Sequence, residues 1–186
     1  MNEPTPDDIA ATIAERASAG GRTVAVAESL TGGMVASALA RAEGASTWFR
    51  GSVVAYSSEV KHDLLEVPEG PVVSETAART MAARVRALLG ADLAVALTGS
   101  GGPDPQDGQP PGTVYMAAAG EPGGEEVLRL DLEGEPAEIC GAAAKAALEL
   151  IAARLEAEQE SEQEPGQESG QASGQEPVGA ARGGTG

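Results

Sequence analysis

The chain has 186 residues, which suits one domain with an appendage, and it carries a formal net charge of −17. Its basic residues are scattered singly, so a surface for nucleic acid is excluded. The single Cys140 and the single His62 exclude an internal disulfide and the usual Cys- or His-rich metal sites. We predict no metal and no other cofactor. No apolar run approaches the roughly 20 residues that cross a bilayer, and the N-terminus lacks the apolar core of a secretion signal, which indicates a cytoplasmic protein.

Hydrophobic periodicity predicts that helices and strands alternate through one domain, residues 1–155. Helices are expected at residues 7–19, 34–41, 57–65, 74–89 and 136–155. Strands are expected at residues 23–27, 52–56, 92–97, 113–118 and 126–132. Asp7 or Asp8 is expected near the N-cap of the first helix, and Ser74 is expected to cap the fourth. The alternation indicates a layered α/β fold, and the last two strands, which suit a hairpin, indicate a mixed sheet.

The composition changes at Glu156. Residues 156–186 are rich in Glu, Gln, Gly and Ser and contain almost no apolar side chain. Such a segment cannot bury enough surface to offset the entropy of ordering it. We therefore predict a disordered acidic tail without a chemical role.

Three polar, glycine-rich segments each follow a predicted strand. Residues 27–33 (AESLTGG) form a turn whose free N–H groups suit a phosphate or an oxyanion, although a plain serine-capped turn is the alternative. Residues 56–61 end in a lysine, for which an exposed surface position is the alternative. Residues 98–104 (TGSGGPD) open a long loop that is either functional or a simple connection. Because ligands bind at the carboxyl ends of strands in α/β sheets, these segments predict one site.

Two neighbouring residues compete for the role of base. Lys61 is one of two lysines, and the other, Lys145, falls in the last predicted helix, where a solvated position is expected. His62 suggests a Ser–His pair instead. Adjacent residues point apart along a helix or strand, and we expect His62 to be solvated.

The order and spacing of these motifs resemble the CinA C-terminal domain family, which includes the nicotinamide-nucleotide amidohydrolases called PncC. The likeness covers residues 7–152. It rests on AESLTGG, Trp48-Phe49, Tyr56-Ser57 with Lys61, Val73-Ser74-Glu75, TGSGGPD and PPGTVY. The resemblance implies a three-layer α/β/α fold with a mixed sheet, and proteins of this kind are often homodimers. It also implies hydrolysis of the carboxamide of nicotinamide mononucleotide to nicotinate mononucleotide and ammonia.

The resemblance further implies a Ser/Lys mechanism in which Ser29 is the nucleophile, Lys61 is the base and Tyr56 assists. The expected substrate-binding positions are Thr31, Gly32, Gly33, Ser46, Thr98, Gly99, Gly101 and Gly102. A lysine can accept the serine proton only when it is uncharged, so its pKa must fall from about 10.4 toward neutrality, at a cost on the order of 4 kcal/mol. We therefore expect Lys61 to be buried, with its amine within about 3 Å of the Ser29 hydroxyl. Backbone N–H groups of residues 31–33 or 99–102 are expected to hold the oxyanion.

The sequence departs from the family pattern where the substrate phosphate would bind. Relatives often have a lysine in the long loop, where this chain has Gln109, and arginines opening the last helix, where residues 134–140 hold none. Arg50 and Arg129 are the candidates to replace them. Two alternatives to mononucleotide hydrolysis therefore stay open: an amidase for another small carboxamide, and a catalytically silent module that binds a nucleotide or a partner protein.

Overall fold

The computed structural model describes residues 3–120 and 124–163. These ranges contain six helices and five strands, which alternate largely as predicted. Their order is α1 (Pro6–Gly20), β1 (Val24–Glu28), α2 (Met34–Arg41), α3 (Ala45–Trp48), β2 (Phe49–Val54), α4 (Ser58–Asp63), α5 (Glu75–Leu89), β3 (Leu93–Gly99), β4 (Thr113–Gly120), β5 (Glu126–Asp131) and α6 (Pro136–Gln163). None of the helices described here combines the length and the apolarity needed to span a membrane.

The five strands form one mixed sheet in the order β2-β1-β3-β4-β5. Strand β1 pairs in parallel with β2 and β3, whereas β3–β4 and β4–β5 are antiparallel, which confirms the mixed sheet and the terminal hairpin. At the carboxyl end of β1, Glu28 lies opposite Val54 of β2 and Leu97 of β3. The chain segments that follow these three strands therefore emerge at the same edge of the sheet.

The two faces of the sheet carry side chains of different size. Alternate residues of a strand point to opposite faces. Val26, Val95 and Leu97 face a layer formed by α1, α2 and α6. Ala25 and Ala94 face α5, and their small side chains leave room for that helix to lie close to the sheet. Helices on both faces give the predicted three-layer α/β/α fold. Burial of each Val or Leu side chain in this fold contributes roughly 1.5–3 kcal/mol to the free energy of unfolding.

The helix caps agree with the sequence at two helices. Ser74 caps α5 as predicted, accepting a hydrogen bond from the amide three residues on. The cap of α1 is Thr5, and Asp7 and Asp8 lie in the first turn, near the cap as predicted. The Thr5 side chain accepts from the Asp8 amide, and the Asp8 carboxylate accepts from the Thr5 amide at 2.9 Å. Asp8 is thus the reciprocal partner in a capping box.

Three boundaries differ from the predicted elements. Strand β2 begins at Phe49 and ends at Val54, earlier than the predicted 52–56, because its first residues already pair with β1 across an irregular register. Helix α3 is a single turn after Gly44, too short to give a periodic pattern. Helix α6 continues to Gln163, because Glu, Gln and Ala favour a helix without burial. The start of the predicted tail is therefore helical, and its remainder, residues 164–186, lies outside the described residues.

Candidate active site

A cavity of about 190 Å³ opens at the carboxyl edge of the sheet. Ser29 after β1, Tyr56 after β2 and residues 99–102 after β3 line it, and Pro136 and Cys140 close it from α6. The three segments singled out in the sequence therefore converge on one pocket. Of the predicted site residues, Ser29, Tyr56, Gly99, Gly101 and Gly102 lie together in its wall.

The turn that carries Ser29 is organised around the preceding residue, Glu28. This side chain is fully buried, and its carboxylate accepts four hydrogen bonds. One oxygen accepts from the Thr31 hydroxyl at 2.7 Å and from the amides of Gly33 and Val35 at 3.1 Å each, and the other accepts from the Ala36 amide at 2.8 Å. An anion at a helix N-terminus is favourable because the unpaired N–H groups there carry a partial positive charge. Glu28 therefore caps α2 from the end of β1.

This arrangement corrects the predicted role of residues 31–33. The Gly33 amide donates to Glu28, and the Gly32 amide donates to the Ser29 carbonyl oxygen at 3.0 Å, so neither is free for an oxyanion. The Thr31 hydroxyl is also engaged and the residue is buried. Gly32 and Gly33 have φ values of 57° and 102°, which glycine adopts readily, and they line a different depression beside α2.

Lys61 lies on α4, and its side chain is buried as predicted, with 1% exposed. Burial lowers the pKa of Lys61 because removal from water penalises the charged amine. The Nζ atom donates to the carbonyl oxygen of Tyr56 at 3.4 Å. Among the described residues no hydrogen bond joins Lys61 to Ser29, so the predicted direct contact of about 3 Å is not formed. His62, the alternative base, has its Nδ1 atom 2.8 Å from the Val67 carbonyl oxygen.

The long loop between β3 and β4 is fastened beside this lysine. The Asp107 carboxylate accepts from the amides of Val72 and Val73 at 2.7 and 2.9 Å. The buried Thr98 hydroxyl donates to the Val72 carbonyl oxygen at 2.7 Å, which joins β3 to the segment between α4 and α5, and Thr98 is not among the described residues that line the pocket. The negative charge of Asp107 raises the pKa of Lys61 and partly opposes the larger effect of burial.

The predicted contribution of Ser46 is wrong within this chain. Ser46 is exposed on α3, just before β2 begins, and β2 runs parallel to β1. It therefore lies at the amino edge of the sheet, opposite the pocket. Arg50, in β2, lies at that edge too, and Arg129 pairs with Asp131 at 3.0 Å on the outer strand β5. The residues described as lining the pocket include Asp104 but no lysine or arginine.

One wall of the pocket was not found from the sequence. Pro136 and Cys140 are four residues apart on α6 and therefore share a face of that helix. The Cys140 thiol donates to the Leu30 carbonyl oxygen at 3.2 Å, which joins the helix to the nucleophile turn. Burial raises the pKa of this thiol, so it is a packing contact and not an activated nucleophile. The four-residue spacing of Pro136 and Cys140 is the sequence signal that could have indicated this wall of the pocket.

The fold and the site define an α/β protein with a serine on a strand-to-helix turn, lining a small pocket with Tyr56, whose carbonyl oxygen accepts from a buried lysine. The family model of the CinA C-terminal domain matches residues 6–155, and the chain belongs to that family. It is 43% identical over 134 residues to a CinA-like protein of Frankia casuarinae, a match that covers 69% of this chain and 31% of that relative. It is 44% identical over 126 residues to a protein of Geobacillus kaustophilus named for competence-damage induction, with 64% and 30% covered. The chain thus spans about a third of these curated relatives.

Solved structures of the same superfamily share the fold over most of both chains. Competence damage-inducible protein A from Klebsiella pneumoniae superposes with a TM-score of 0.78 at 31% identity, covering 82% of this chain and 98% of that one. The CinA superfamily protein from Enterobacter cloacae superposes with a TM-score of 0.79 at 28% identity, covering 83% and 95%.

Proposed function

We propose that this protein is a serine amidohydrolase that releases ammonia from a small carboxamide, with nicotinamide mononucleotide as the first candidate substrate. The observation that carries the proposal is the placement of Ser29 and Tyr56 in one pocket wall, with the buried Lys61 amine held by the Tyr56 carbonyl oxygen at 3.4 Å. Burial lowers the pKa of Lys61, and a neutral amine is the form that can accept a proton. Catalytic hydrogen bonds often shorten only when substrate binds, and this fits the absence of a Ser29–Lys61 hydrogen bond among the described residues.

The proposed reaction has two steps. The Ser29 oxygen attacks the amide carbon while its proton passes to the Lys61 amine, which then gives it to the departing ammonia. Water next attacks the resulting ester while its proton passes to Lys61, and Lys61 returns that proton to the Ser29 oxygen as the ester bond breaks and the acid leaves. Tyr56 supports this exchange through its backbone, because its carbonyl oxygen holds the Lys61 amine at 3.4 Å.

The amides of Gly101 and Gly102 are the best-placed donors for the oxyanion. Both residues line the cavity, and among the described residues neither N–H group donates to a protein acceptor. Preorganised backbone donors of this kind stabilise the negative oxygen of a tetrahedral intermediate. Gly102 has φ of 82°, so a side chain at this position would strain the loop.

The pocket dimensions favour recognition of the reacting end of the substrate. A volume of about 190 Å³ lies below the roughly 300–1,000 Å³ of sites that enclose drug-sized ligands. A carboxamide-bearing ring fits such a space, whereas the rest of a mononucleotide would lie outside. Tyr56 is 72% exposed at the rim, where its ring is available to stack on that outer part.

Ammonia release tests the proposal directly. The chain is incubated with nicotinamide mononucleotide, nicotinamide and a panel of small amides with and without phosphate. Ser29→Ala and Lys61→Ala are expected to abolish turnover while the Tm stays within a few degrees of the parent. Lys145→Ala, at the chain's other lysine, serves as the matched control. Substantial activity in Lys61→Ala would refute the assignment of the base.

A binding module without turnover is the second candidate function. It is favoured by the missing Ser29–Lys61 hydrogen bond and by the absence of lysine and arginine from the described pocket wall. One experiment, in which Tm and ammonia release are measured with the same ligand, distinguishes the two candidate functions. A ligand that raises the Tm without releasing ammonia supports the binding module, whereas turnover of any amide supports the hydrolase.

We also propose, from the family likeness and the sequence, that the protein acts in the cytoplasm as a homodimer. Strand β2 is an edge of the sheet. Sedimentation of the full chain at several concentrations measures the oligomeric state, and a monomer at every concentration would refute the dimer.

A further inference from the structure

We propose that Glu28 is a positioning residue for the Ser29 nucleophile, because its buried carboxylate fastens the turn that carries Ser29 to the first turn of α2. The catalytic consequence rests on the proposed amidohydrolase function. The geometric part does not, and the two parts are tested separately.

The carboxylate joins the two sides of the nucleophile turn. The Thr31 hydroxyl reaches it from within the turn, and the amides of Val35 and Ala36 reach it from α2. Ser29 lies between Glu28 and Thr31 in the chain, and its carbonyl oxygen accepts from the Gly32 amide at 3.0 Å. Movement of Ser29 relative to α2 therefore requires that hydrogen bonds to Glu28 be broken.

Comparison with the other capped helices shows that α2 is capped in an unusual way. Thr5, Ser57 and Ser74 each cap the helix that begins immediately after them. The corresponding position of α2, Gly33, has no side chain, and the cap comes from Glu28 at the strand end. A buried carboxylate is costly unless it is fully hydrogen-bonded, so it fixes its donors more strictly than an exposed hydroxyl does. This stricter cap lies directly beside the nucleophile.

Two substitutions weaken the fastening to different degrees. Glu28→Gln keeps the size of the side chain but replaces one acceptor oxygen with an NH₂ group, which faces a backbone donor. Thr31→Val keeps the shape of residue 31 and removes one of the four donors. Asp8→Asn is the matched control, because Asp8 also accepts a backbone N–H at a helix N-terminus but lies on α1, away from the pocket.

The experiment measures kcat, KM and Tm for the full chain and the three variants on the amide that the parent hydrolyses best. Glu28→Gln is expected to lower kcat at least 30-fold with KM changed less than threefold, since a misplaced nucleophile slows chemistry more than binding. Thr31→Val is expected to lower kcat about fivefold. Asp8→Asn is expected to lower the Tm with kcat unchanged. A Glu28→Gln variant that loses Tm but keeps kcat within twofold of the parent would overturn the proposal.

Hydrogen exchange keeps the geometric part testable if the parent turns over no amide. In Glu28→Gln, amide exchange in residues 29–36 is expected to accelerate at least tenfold relative to the parent, while exchange in α5 stays unchanged. Inactivity of the parent together with this acceleration would reject the amidohydrolase function but support the role of Glu28 in holding the Ser29 turn against α2. Unchanged exchange in residues 29–36 would overturn the role of Glu28 whatever the activity. If Glu28→Gln does not fold, the same two readings are taken on Thr31→Val, with threefold acceleration as the threshold.

Discussion

Replacement of Lys61 by methionine is expected to stabilise the fold at neutral pH while abolishing turnover. The lysine side chain is 1% exposed, and the amine makes one hydrogen bond, of 3.4 Å, to a neutral acceptor. Methionine has a similar length and flexibility, so it fills the same space without an amine. Loss of the hydrogen bond costs about 1 kcal/mol, whereas replacement of buried charged groups by apolar residues of similar volume often gains about 1–4 kcal/mol.

The net expectation is a gain of up to about 3 kcal/mol in the free energy of unfolding at pH 7, or a rise in Tm of up to about 10 °C for a domain of this size. The gain should depend on pH with a definite sign. The pKa of Lys61 is lowered in the folded state, so between that pKa and about 10.4 the unfolded chain binds more protons than the folded one. The cost of burying the charged Lys61 amine therefore lowers the parent's free energy of unfolding in full below the folded-state pKa of Lys61. This cost decreases as the pH rises toward about 10.4.

Urea unfolding of the parent, Lys61→Met and Lys145→Met at pH 7 and pH 10 tests this reasoning. Lys145 pairs with Glu3 and Glu149 near the surface, and its replacement should change stability by less than about 1 kcal/mol. A Lys61→Met variant that is less stable than the parent at pH 7, or an advantage that does not shrink by pH 10, would show that burial of the amine does not penalise the fold.

Four further outcomes are expected. Ser29→Ala should lower kcat at least 10³-fold with circular dichroism and Tm unchanged; retained activity would exclude the serine. Asp107→Asn keeps the single acceptor oxygen used by the loop but removes the charge that raises the pKa of Lys61, so the acid limb of the kcat/KM profile should move to lower pH. Gly112→Ala should destabilise the fold by about 1–3 kcal/mol in urea unfolding, because φ is 90° and the new Cβ would lie 1.8 Å from a backbone oxygen; parent-like stability would contradict this. Deletion of residues 164–186 should leave Tm and kcat unchanged, and a large drop in Tm would refute the predicted tail.

The elements that local pattern determines were predictable from the sequence. Helix α2 has the predicted ends, Ser74 caps α5, and the hairpin of β4 and β5 forms. Periodicity, capping residues and glycine-rich turns are local signals, and they also indicated which strand ends converge. The sequence therefore predicts that Ser29, Tyr56 and the glycines after β3 lie at one edge of the sheet, where the structure has them.

The errors arise where tertiary contacts decide. Glu28 resembles an ordinary surface carboxylate in the sequence, and only the folded turn shows that it occupies the amide that was expected to bind an oxyanion. Ser46 was expected from the family resemblance alone, and the parallel pairing of β2 with β1 shows that a residue preceding β2 lies at the amino edge of the sheet. Thr98 appeared suited to a ligand, but its hydroxyl is used by the Val72 carbonyl oxygen, a contact between distant parts of the chain.

The distribution of burial around the pocket separates two kinds of position. Glu28 and Lys61 are inaccessible, so a new side chain there must fit a filled interior. The outer wall contains Asp104, Gln106 and Pro136, which are at least partly exposed, so substitutions there meet little steric resistance. Under the proposed amidohydrolase function, a directed-evolution library limited to the outer wall would therefore vary substrate preference while Glu28 and Lys61 stay constant, which suits stepwise retargeting toward new amides.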